Sequence, residues 1–351
     1  MTHLGSIILI AVYAVLAIAL LYRVCFLYKK IKSAYKTPHP THSPIYDDGV
    51  GVFFSHTIAG VLHTVLVLAF ITMTAHSISS LLGIENELWD IIASVWAVGA
   101  IIAAMIFIMR RCFIRPMRFS TLSPSQRLDA YTILLLEIVS GATLIASIYG
   151  LQGFDTAHYI TLASFAVYIT YSKHLHIITA WIYRYLNRGR GVYDMERVSG
   201  VCAMMDMMEG KAASIDASTT TMGASNANEL SRLDVLGVFS CTQCGRCVEL
   251  CPPYLVGEEF SPMEITTRIR YSIEKGVNFY PDALDDNFIS MCISCGACRA
   301  ACPVGINPMK LLWEVKRYAH LEKGYMPSSY HTASQSTQNS SYPLPTYLDK
   351  R

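Results

Sequence analysis

Two short cysteine-rich runs in the C-terminal part constrain this chain more than any other feature. Each run has four cysteines separated by two, two and three residues, and each ends in Cys-Pro. The runs are Cys241-x2-Cys244-x2-Cys247-x3-Cys251-Pro252 and Cys292-x2-Cys295-x2-Cys298-x3-Cys302-Pro303. Three thiolates two residues apart can curl around one face of a compact inorganic centre, whereas the cysteine before proline leaves that turn. Gly245 and Gly296 supply tight backbone turns beside the thiols.

This spacing is typical of proteins with two [4Fe–4S] clusters, in which the fourth cysteine of each run binds the cluster of the other run. We therefore assign cluster 1 to Cys241, Cys244, Cys247 and Cys302, and cluster 2 to Cys292, Cys295, Cys298 and Cys251. A zinc site needs only one set of four ligands. Disulfides need an oxidising compartment, which the topology below does not provide. The remaining cysteines fit no ligand spacing and are interpreted as buried or interfacial thiols; they are Cys25, Cys112 and Cys202.

The rest of the chain divides by composition into two parts. Only 15% of the 351 residues are charged, compared with roughly 25% in an ordinary soluble domain. Residues 1–190 contain five segments with the about 20 residues needed to cross a membrane. These segments are Leu4–Tyr22, 52–80, Leu88–Met109, Ala130–Gly150 and Ala157–Tyr185. The predicted fold is mainly α, with a bundle of five transmembrane helices followed by an α-helical two-cluster domain.

Charges in the loops predict the orientation of these helices. Arginine and lysine concentrate in residues 23–36, 110–127 and 184–190. The alternate loops carry acidic residues instead, namely Glu85, Glu87 and Asp155. Because basic loops stay on the cytoplasmic side, we expect a multi-pass protein of the cell membrane with its N-terminus outside and both cysteine runs in the cytoplasm.

Histidines concentrate on the second and fifth predicted spans and are absent from the other three. They are His56, His63 and His76 on the second span, and His158, His174 and His176 on the fifth. Polar residues inside a membrane are energetically unfavourable and usually functional. Paired neutral imidazoles can bind a haem iron from both sides. The alternative is that individual histidines form hydrogen bonds to a neighbouring helix.

Depth along the two spans predicts how the histidines pair around b haem. His56 and His176 both lie near the cytoplasmic ends of their spans and are assigned to an inner haem. His158 lies near the outer end and is paired with His63, which would separate two haems by about 19 Å. The alternative ligands are His76 and His174. Two haems are therefore predicted rather than one.

Two segments of this part resemble the respiratory nitrate reductase gamma family. Ser172-Lys173-His174-Leu175-His176-Ile177 resembles that family's fifth helix, and Phe54-Ser55-His56 is similar to its first ligand position. The resemblance covers about residues 1–190. It implies five helices, two b haems between helices two and five, and electron exchange with quinol. The chain departs from the family at Leu66, ten residues after His56, where the family has its outer ligand.

Glu137 is an acidic residue well inside a predicted span, whereas Asp90 lies at the start of the third span. Two interpretations stay open: it carries protons to a quinone, or it forms a hydrogen bond within the bundle. The cytoplasmic part divides into a linker at residues 191–235, the cluster domain at 236–324 and a tail at 325–351. Ser261-Pro262 and Asn307-Pro308 are typical helix starts, and Gly324 is a typical stop. The tail is rich in Ser, Thr, Gln and Tyr, which favours disorder.

The cluster domain resembles the two-cluster subunit of heterodisulfide reductases and the matching region of anaerobic glycerol-3-phosphate dehydrogenase. The resemblance is carried by Cys241-Thr-Gln-Cys-Gly-Arg-Cys247 and Cys295-Gly-Ala-Cys-Arg-Ala-Ala-Cys-Pro-Val-Gly-Ile306. It implies a partner with cysteine-rich CCG domains that hold the substrate-side cluster. Since no cysteine follows Cys302, that domain is expected on a separate subunit, similar to the CCG-domain subunit of heterodisulfide reductases.

These features predict an oxidoreductase subunit that transfers electrons and contains no catalytic residues for a soluble substrate. It would connect a membrane quinone or quinol, or methanophenazine, with a cytoplasmic redox subunit. One alternative is the membrane subunit of an electron-transferring-flavoprotein:quinone oxidoreductase. Another is a non-catalytic anchor that senses redox state. The expected partners are the lipid bilayer, a quinone and a redox subunit, and no nucleic acid is expected.

Overall fold

The computed structural model describes residues 3–34, 57–84, 86–188, 199–211 and 222–340. Within these ranges the chain consists of helices and connecting turns, and no strand is present. The prediction of a mainly α protein is therefore confirmed. The predicted haem ligand His56 lies outside the described residues.

The N-terminal part forms a helical bundle. Its helices are α1 (His3–Ser33), α2 (Thr57–Leu81), α3 (Glu87–Met109), α4 (Pro124–Ile148), α5 (Phe154–Tyr171) and α6 (His176–Leu186). Neighbouring helices pack in the order α2, α3, α4, α5 and α1. Local sequence signals explain two of the starts: Asn86 accepts hydrogen bonds from the first turn of α3, and Ser123 with Gln126 forms a capping box on α4.

Small residues allow the central helices to approach closely. The buried face of α3 carries alanines at helical spacing, and these include Ala93, Ala97, Ala100 and Ala104. On the facing side of α4, a Cβ atom on Gly141 would lie 3.2 Å from the carbonyl oxygen of Ala97. Small side chains at such contacts are typical of helices that pack in lipid, where the gain comes from close van der Waals contact.

The expected number of membrane spans needs correction. Among the described residues, three helices are long and apolar enough to cross a membrane, at Ile58–Leu81, Glu87–Ile114 and Pro124–Ile148. The prediction was five. The expected fifth span is broken at Ser172, which is extended and leads into a 3-10 turn at Lys173–Leu175. The expected first span lies within α1, where the side chains of residues 3–13 are outside the described part.

The C-terminal part is built from short helices around the two cysteine runs. In order they are α7 (Ser199–Met208), α8 (Arg232–Phe239), α9 (Arg246–Glu249), α10 (Pro252–Leu255), α11 (Pro262–Lys275), α12 (Asp286–Ser290), α13 (Ala297–Ala300), α14 (Pro308–Arg317) and α15 (Ser328–Ser340). The core of this part lies between α8, α11 and α14 and includes Phe239, Ile269 and Leu312. A buried ion pair joins α14 to α8, because the Lys310 ammonium nitrogen lies 2.7 Å from the Asp234 carboxylate.

The predicted helix boundaries are partly reproduced. α11 begins at Pro262 and ends at Gly276, and α14 begins at Pro308, capped by the side chain of Asn307. The α-helical geometry of α14 ends at Arg317 and continues as a π turn through Glu322, just before Gly324. The tail from residue 325 was expected to be disordered, and α15 instead makes part of it helical.

Candidate functional site

Four cysteines from both runs line one cavity in the C-terminal part. Its thiols belong to Cys251, Cys292, Cys295 and Cys298. Its other walls are mainly apolar and include Phe260, Ile265 and Met309. We call it the cluster 2 cavity. The structure therefore brings Cys251, from the first run, to the three leading cysteines of the second.

The other four cysteines form a second group, in which each residue is partly buried. Cys247 and Cys302 are each close enough to Cys241 and Cys244 to interact electrostatically. Burial is the largest influence on these thiols: it raises the pKa of Cys302 to about 11 and that of Cys247 well above its ordinary value. The same effect raises the pKa of Cys298, in the cluster 2 cavity, to about 12. Buried thiols of this kind become thiolates when a metal centre supplies compensating positive charge.

The two groups suit a polynuclear centre better than a single ion. Within the described ranges, no three histidine, cysteine or acidic side chains converge on a position for one metal ion. A single zinc site needs only four ligands, whereas the two groups together contain eight cysteines with the spacing of two-cluster proteins. The donor set, the spacing and the cavity all fit [4Fe–4S] clusters.

The two runs adopt the same local backbone. Gly245 and Gly296 have φ angles of 74° and 77°, as their role as turn residues requires. Gln243 and Ser294, which occupy equivalent positions before the second cysteine of each run, also have positive φ angles, of 51° and 60°. The amide of Ser294 donates a hydrogen bond to the Cys292 sulfur at 3.4 Å. Sequence reasoning missed these two residues, because neither is a glycine.

Gly245 also makes the closest approach between the cluster domain and the loop after α3. A Cβ atom at this position would lie 2.5 Å from the carbonyl oxygen of Arg118. Gly276 has the same left-handed conformation, with a φ of 73°, and open space around it. Making the same substitution at Gly245 and at Gly276 therefore separates the effect of backbone strain from the effect of steric contact.

Replacing Gly245 with alanine is expected to destabilise the protein more than replacing Gly276. Both variants suffer the left-handed penalty of about 1–2 kcal/mol, and Gly245→Ala adds an overpacking penalty of about 1–3 kcal/mol. The measurement is the denaturant concentration at which half of the clusters are lost, monitored by the visible absorbance of the purified protein. Equal midpoints for the two variants would show that the contact with Arg118 is unimportant.

The histidines are arranged differently from the predicted pairs. The rings of His63 and His176 face each other with centroids 6.4 Å apart and planes 29° from parallel, and the ring of His174 lies 5.7 Å from that of His176. Nδ1 of His176 lies 2.9 Å from the carbonyl oxygen of Lys173. Metal-binding histidines commonly donate their second ring N–H to a carbonyl in this way, which orients the other nitrogen toward the metal.

His63 and His176 are the residues that would hold a b haem. Paired neutral imidazoles can bind a haem iron, and these two rings lie next to each other with their centroids 6.4 Å apart. A bound haem would supply one-electron redox chemistry at this position.

His158, the predicted partner of His63, lies elsewhere and does not fit a haem. Its Nε2 is 2.9 Å from the Ser77 hydroxyl, and its Nδ1 is 3.2 Å from the Thr143 hydroxyl and 3.1 Å from the carbonyl oxygen of Ser140. Both ring nitrogens are thus engaged. His158 instead joins α2, α4 and α5 by hydrogen bonds, which corrects the expected outer pair.

Two other predicted residues lie in the same bundle. Nε2 of His76, the alternative outer ligand, is 2.7 Å from the Asp90 carboxylate, so this pair connects α2 to α3. Glu137 is buried on α4, and no described residue bonds its Oε1 atom. Of the cysteines outside the runs, Cys25 and Cys112 are exposed rather than buried.

A junction between the bundle and the cluster domain lies beside the histidines. The buried Lys173 is close enough to Cys241 and Cys244 to interact electrostatically. α6 packs on α8, where a Cβ atom on Gly237 would lie 2.7 Å from the ring of Tyr183. The short turn before α6 therefore carries His174 and leads into His176, and its Lys173 lies near two cysteines of cluster 1.

Further hydrogen bonds hold this junction together. The Thr179 hydroxyl donates to the carbonyl oxygen of Phe239 at 3.2 Å, and the Arg184 guanidinium donates to that of Pro303 at 2.8 Å. From the other side, Arg270 on α11 donates to the carbonyl oxygen of Ser172 at 3.0 Å. The broken end of α5 is therefore bonded by the cluster domain itself.

Comparison with known proteins identifies one part of the chain directly. Residues 240–307 match the family described as 4Fe-4S dicluster domain. The chain contains a 4Fe-4S dicluster domain. The matched residues include all eight cysteines of the two runs, so the prediction of an iron–sulfur domain is confirmed.

Several characterised or named proteins are similar to longer stretches. The probable iron-sulfur-binding oxidoreductase FadF of Bacillus subtilis is 23% identical over an alignment of 229 residues. The alignment covers 53% of this chain and 30% of the relative. A subunit of the dihydromethanophenazine:CoB–CoM heterodisulfide reductase of Methanosarcina mazei is 31% identical over 117 residues, or 29% of this chain and 28% of the relative. A probable membrane-anchored ferredoxin of Chromohalobacter salexigens is 22% identical over 144 residues, or 33% and 22%.

These relatives support an iron–sulfur electron-transfer subunit related to oxidoreductases. The match spans less than a third of the length of each of the three relatives. No solved structure matches the chain. The b haem, the quinone and the partner subunit stay predictions.

Proposed function

We propose that this chain is a membrane-anchored electron-transfer subunit of a heterodisulfide-reductase-like complex. It would connect a membrane quinone or quinol, or methanophenazine, with a cytoplasmic redox subunit. The observation that supports this proposal is the turn between α5 and α6. This turn carries His174 and leads into His176, while its Lys173 lies beside Cys241 and Cys244.

Each expected cofactor has a set of residues suited to it. One [4Fe–4S] cluster would be held by Cys241, Cys244, Cys247 and Cys302, the other by Cys251, Cys292, Cys295 and Cys298, and a b haem by His63 and His176. When bound, these groups supply one-electron redox chemistry, which divides the two electrons released by a quinol into single transfers.

The residues around the two cysteine groups control the local charge and the access of solvent. Lys173 is 6% exposed and places an ammonium group near Cys241 and Cys244, where it stabilises a cluster that carries net negative charge. Phe260, Ile265 and Met309 keep much of the wall of the cluster 2 cavity apolar. Solvent exclusion and nearby charge are the two main means by which a protein sets the potential of such a centre.

We propose that α2, α3 and α4 cross the cell membrane, with the loop between α3 and α4 and the cysteine runs on the cytoplasmic side, and that α5, which packs on α4, leads the chain back to that side. Large apolar side chains such as Ile58, Val95 and Leu135 are exposed on these helices, as lipid contact requires. The arginine-rich loop after α3 includes Arg118, whose carbonyl approaches Gly245 of the first cysteine run. A basic loop next to the cluster domain agrees with the positive-inside rule.

Glu137 is proposed to exchange protons with the quinone. It is 7% exposed, and no described residue bonds its Oε1 atom. Oxidation of one quinol releases two protons as well as two electrons, so a proton acceptor within the bundle is required. The cytoplasmic partner is proposed to be a CCG-domain subunit like that of heterodisulfide reductases, because a subunit of one such enzyme is among the relatives.

The proposal predicts that a short-chain quinol reduces the purified full-length protein in lipid nanodiscs. We expect the haem and cluster absorbance to change within seconds of adding menaquinol or ubiquinol analogues. Glu137→Gln is expected to slow this reduction at least tenfold, whereas Ser164→Ala, an exposed hydroxyl on α5, should leave it unchanged. A wild-type protein that dithionite reduces but no quinol does would contradict the proposed function.

A further inference from the structure

The cluster 2 cavity opens onto an apolar surface. Cys295 is exposed, in contrast to the other seven cysteines of the runs. Ile293, two residues before it, is 62% exposed and lines the same cavity. Pro253 also lines the cavity, where it is buried, and it leads into Leu255 and Val256, which are 57% and 79% exposed. We call the surface formed by Leu255, Val256, Ile293 and Cys295 the Cys295 rim.

The rim is held in place by its own backbone. The amide of Val256 donates a hydrogen bond to the carbonyl oxygen of Pro252 at 3.2 Å, and the amide of Glu258 donates to that of Pro253 at 3.0 Å. These bonds fold residues 252–258 back on themselves, next to Cys251. The exposed apolar side chains are therefore presented by an ordered turn.

Acidic residues lie along the edge of the rim. Glu258 and Glu259 follow Val256 and are exposed, and exposed Asp285 begins α12. α12 adjoins the cavity wall because the rings of Phe288 and Phe260 lie 4.9 Å apart. None of these three acids forms an ion pair with a described residue.

Two basic side chains near the cavity have partners. The ammonium group of Lys316 donates a hydrogen bond to the carbonyl oxygen of Cys292 at 2.9 Å and is half-buried. The guanidinium of Arg268 lies 4.5 Å from the centre of the Phe288 ring and forms an ion pair with Glu264. The three exposed acids therefore give the edge its negative charge. An apolar centre with a charged edge is the usual composition of a protein interface.

From these observations we infer that the Cys295 rim is the docking surface for a soluble one-electron carrier protein with basic residues around its redox centre. The acidic edge would steer such a partner, and the apolar rim would bring it against the exposed Cys295. This inference rests on the proposed function and adds to it a soluble carrier that exchanges electrons with the chain through cluster 2. Many other exposed large apolar side chains lie on the bundle, where lipid accounts for them. Those in the C-terminal part, such as Met208, Leu321 and Met326, do not line the cluster 2 cavity.

The test uses the full-length protein with both clusters loaded and reduced by dithionite, so that no quinol is needed. Mitochondrial cytochrome c, a basic carrier, and ferricyanide, an anion, each accept one electron from the reduced protein, which returns to its oxidised state. Glu258→Lys/Glu259→Lys is expected to lower the second-order rate constant for cytochrome c at least tenfold at low salt. The same variant should raise the rate constant for ferricyanide, and both effects should shrink in high salt.

A matched variant changes the same charge elsewhere. Glu209→Lys/Glu322→Lys alters two exposed acids outside the rim and is expected to leave both rate constants within twofold of wild type. Ile293→Ser should lower the rate constant for cytochrome c but not for ferricyanide, because only a protein needs the apolar contact. Iron content and visible spectra confirm that the variants keep their clusters.

The inference is overturned if the rim variant and the matched variant slow cytochrome c equally, or if neither does. It is also overturned if Ile293→Ser affects both acceptors alike. These outcomes are independent of the quinol experiment: a protein that no quinol reduces can still show a rim-dependent rate, and a quinol-reducible protein can lack one.

Discussion

Replacing Cys302 with alanine is expected to remove the [4Fe–4S] cluster of the first cysteine run and to leave the other cluster in place. The reason is the crossed arrangement, in which Cys302 lies with Cys241, Cys244 and Cys247 although it belongs to the second run. Non-haem iron and acid-labile sulfide should fall from about eight to about four atoms of each per chain. A mononuclear or disulfide interpretation predicts no such halving.

Reference variants decide which cluster is lost. Cys244→Ala removes a ligand of cluster 1 and Cys298→Ala removes a ligand of cluster 2, so their reduced proteins provide one EPR spectrum for each remaining cluster. The spectrum of Cys302→Ala should match that of Cys244→Ala. A match to Cys298→Ala would mean that each run binds its own cluster, and the crossed assignment would be wrong.

A control addresses unfolding. Cys112 is exposed and lies outside both runs, so Cys112→Ala is expected to keep about eight iron atoms per chain. The reciprocal variant, Cys251→Ala, should resemble Cys298→Ala because Cys251 lines the cluster 2 cavity. Together the four ligand variants give two classes of spectra, and each class contains one residue from each run.

Replacing His176 with alanine is expected to abolish binding of b haem. His176 is the histidine whose ring is both tied through Nδ1 to a carbonyl and set 6.4 Å from a second imidazole, that of His63. Haem content, measured as the pyridine haemochrome, should fall from one per chain to less than about one tenth, and His63→Ala should give the same result. The iron–sulfur content of both variants should stay near wild type.

His158 provides the contrasting variant. Because its nitrogens already bond Ser77, Thr143 and Ser140, His158→Ala is expected to retain haem while losing about 1–3 kcal/mol of stability. Loss of half the haem in His158→Ala, with two haems in the wild type, would restore the originally expected outer pair. A wild-type protein without haem would remove the haem from the proposal and leave the iron–sulfur domain unaffected.

The cysteine grouping was predictable because its cause is local. The spacing within each run positions three thiols on one turn, and proline directs the fourth away. The structure accordingly brings Cys251 to the second run and Cys302 to the first. The starts of α11 and α14 were predictable for the same reason, because proline in the first helical turn is a local signal.

The histidine pairs were not predictable in this way. Assigning His158 and His176 to two depths of the fifth span assumed one continuous helix, whereas Ser172 is extended and interrupts it. The Ser172 side chain accepts a hydrogen bond from the amide of His174, so a local capping signal existed in the sequence. Its use as a helix break depends on Arg270 of the distant α11, which bonds the Ser172 carbonyl, and such a tertiary contact leaves no mark in the local pattern.

The interruption before α6 has a mechanical consequence. His63 belongs to a long helix of the bundle, whereas His176 begins a short helix whose far end is fastened to the cluster domain through Arg184 and Tyr183. A haem bound by both imidazoles would connect the bundle and the cluster domain, in addition to the hydrogen bonds and the packing between them. The haem would then stabilise the contact between the bundle and the cluster domain as well as carry electrons. In protein without haem, we expect this contact to be lost first.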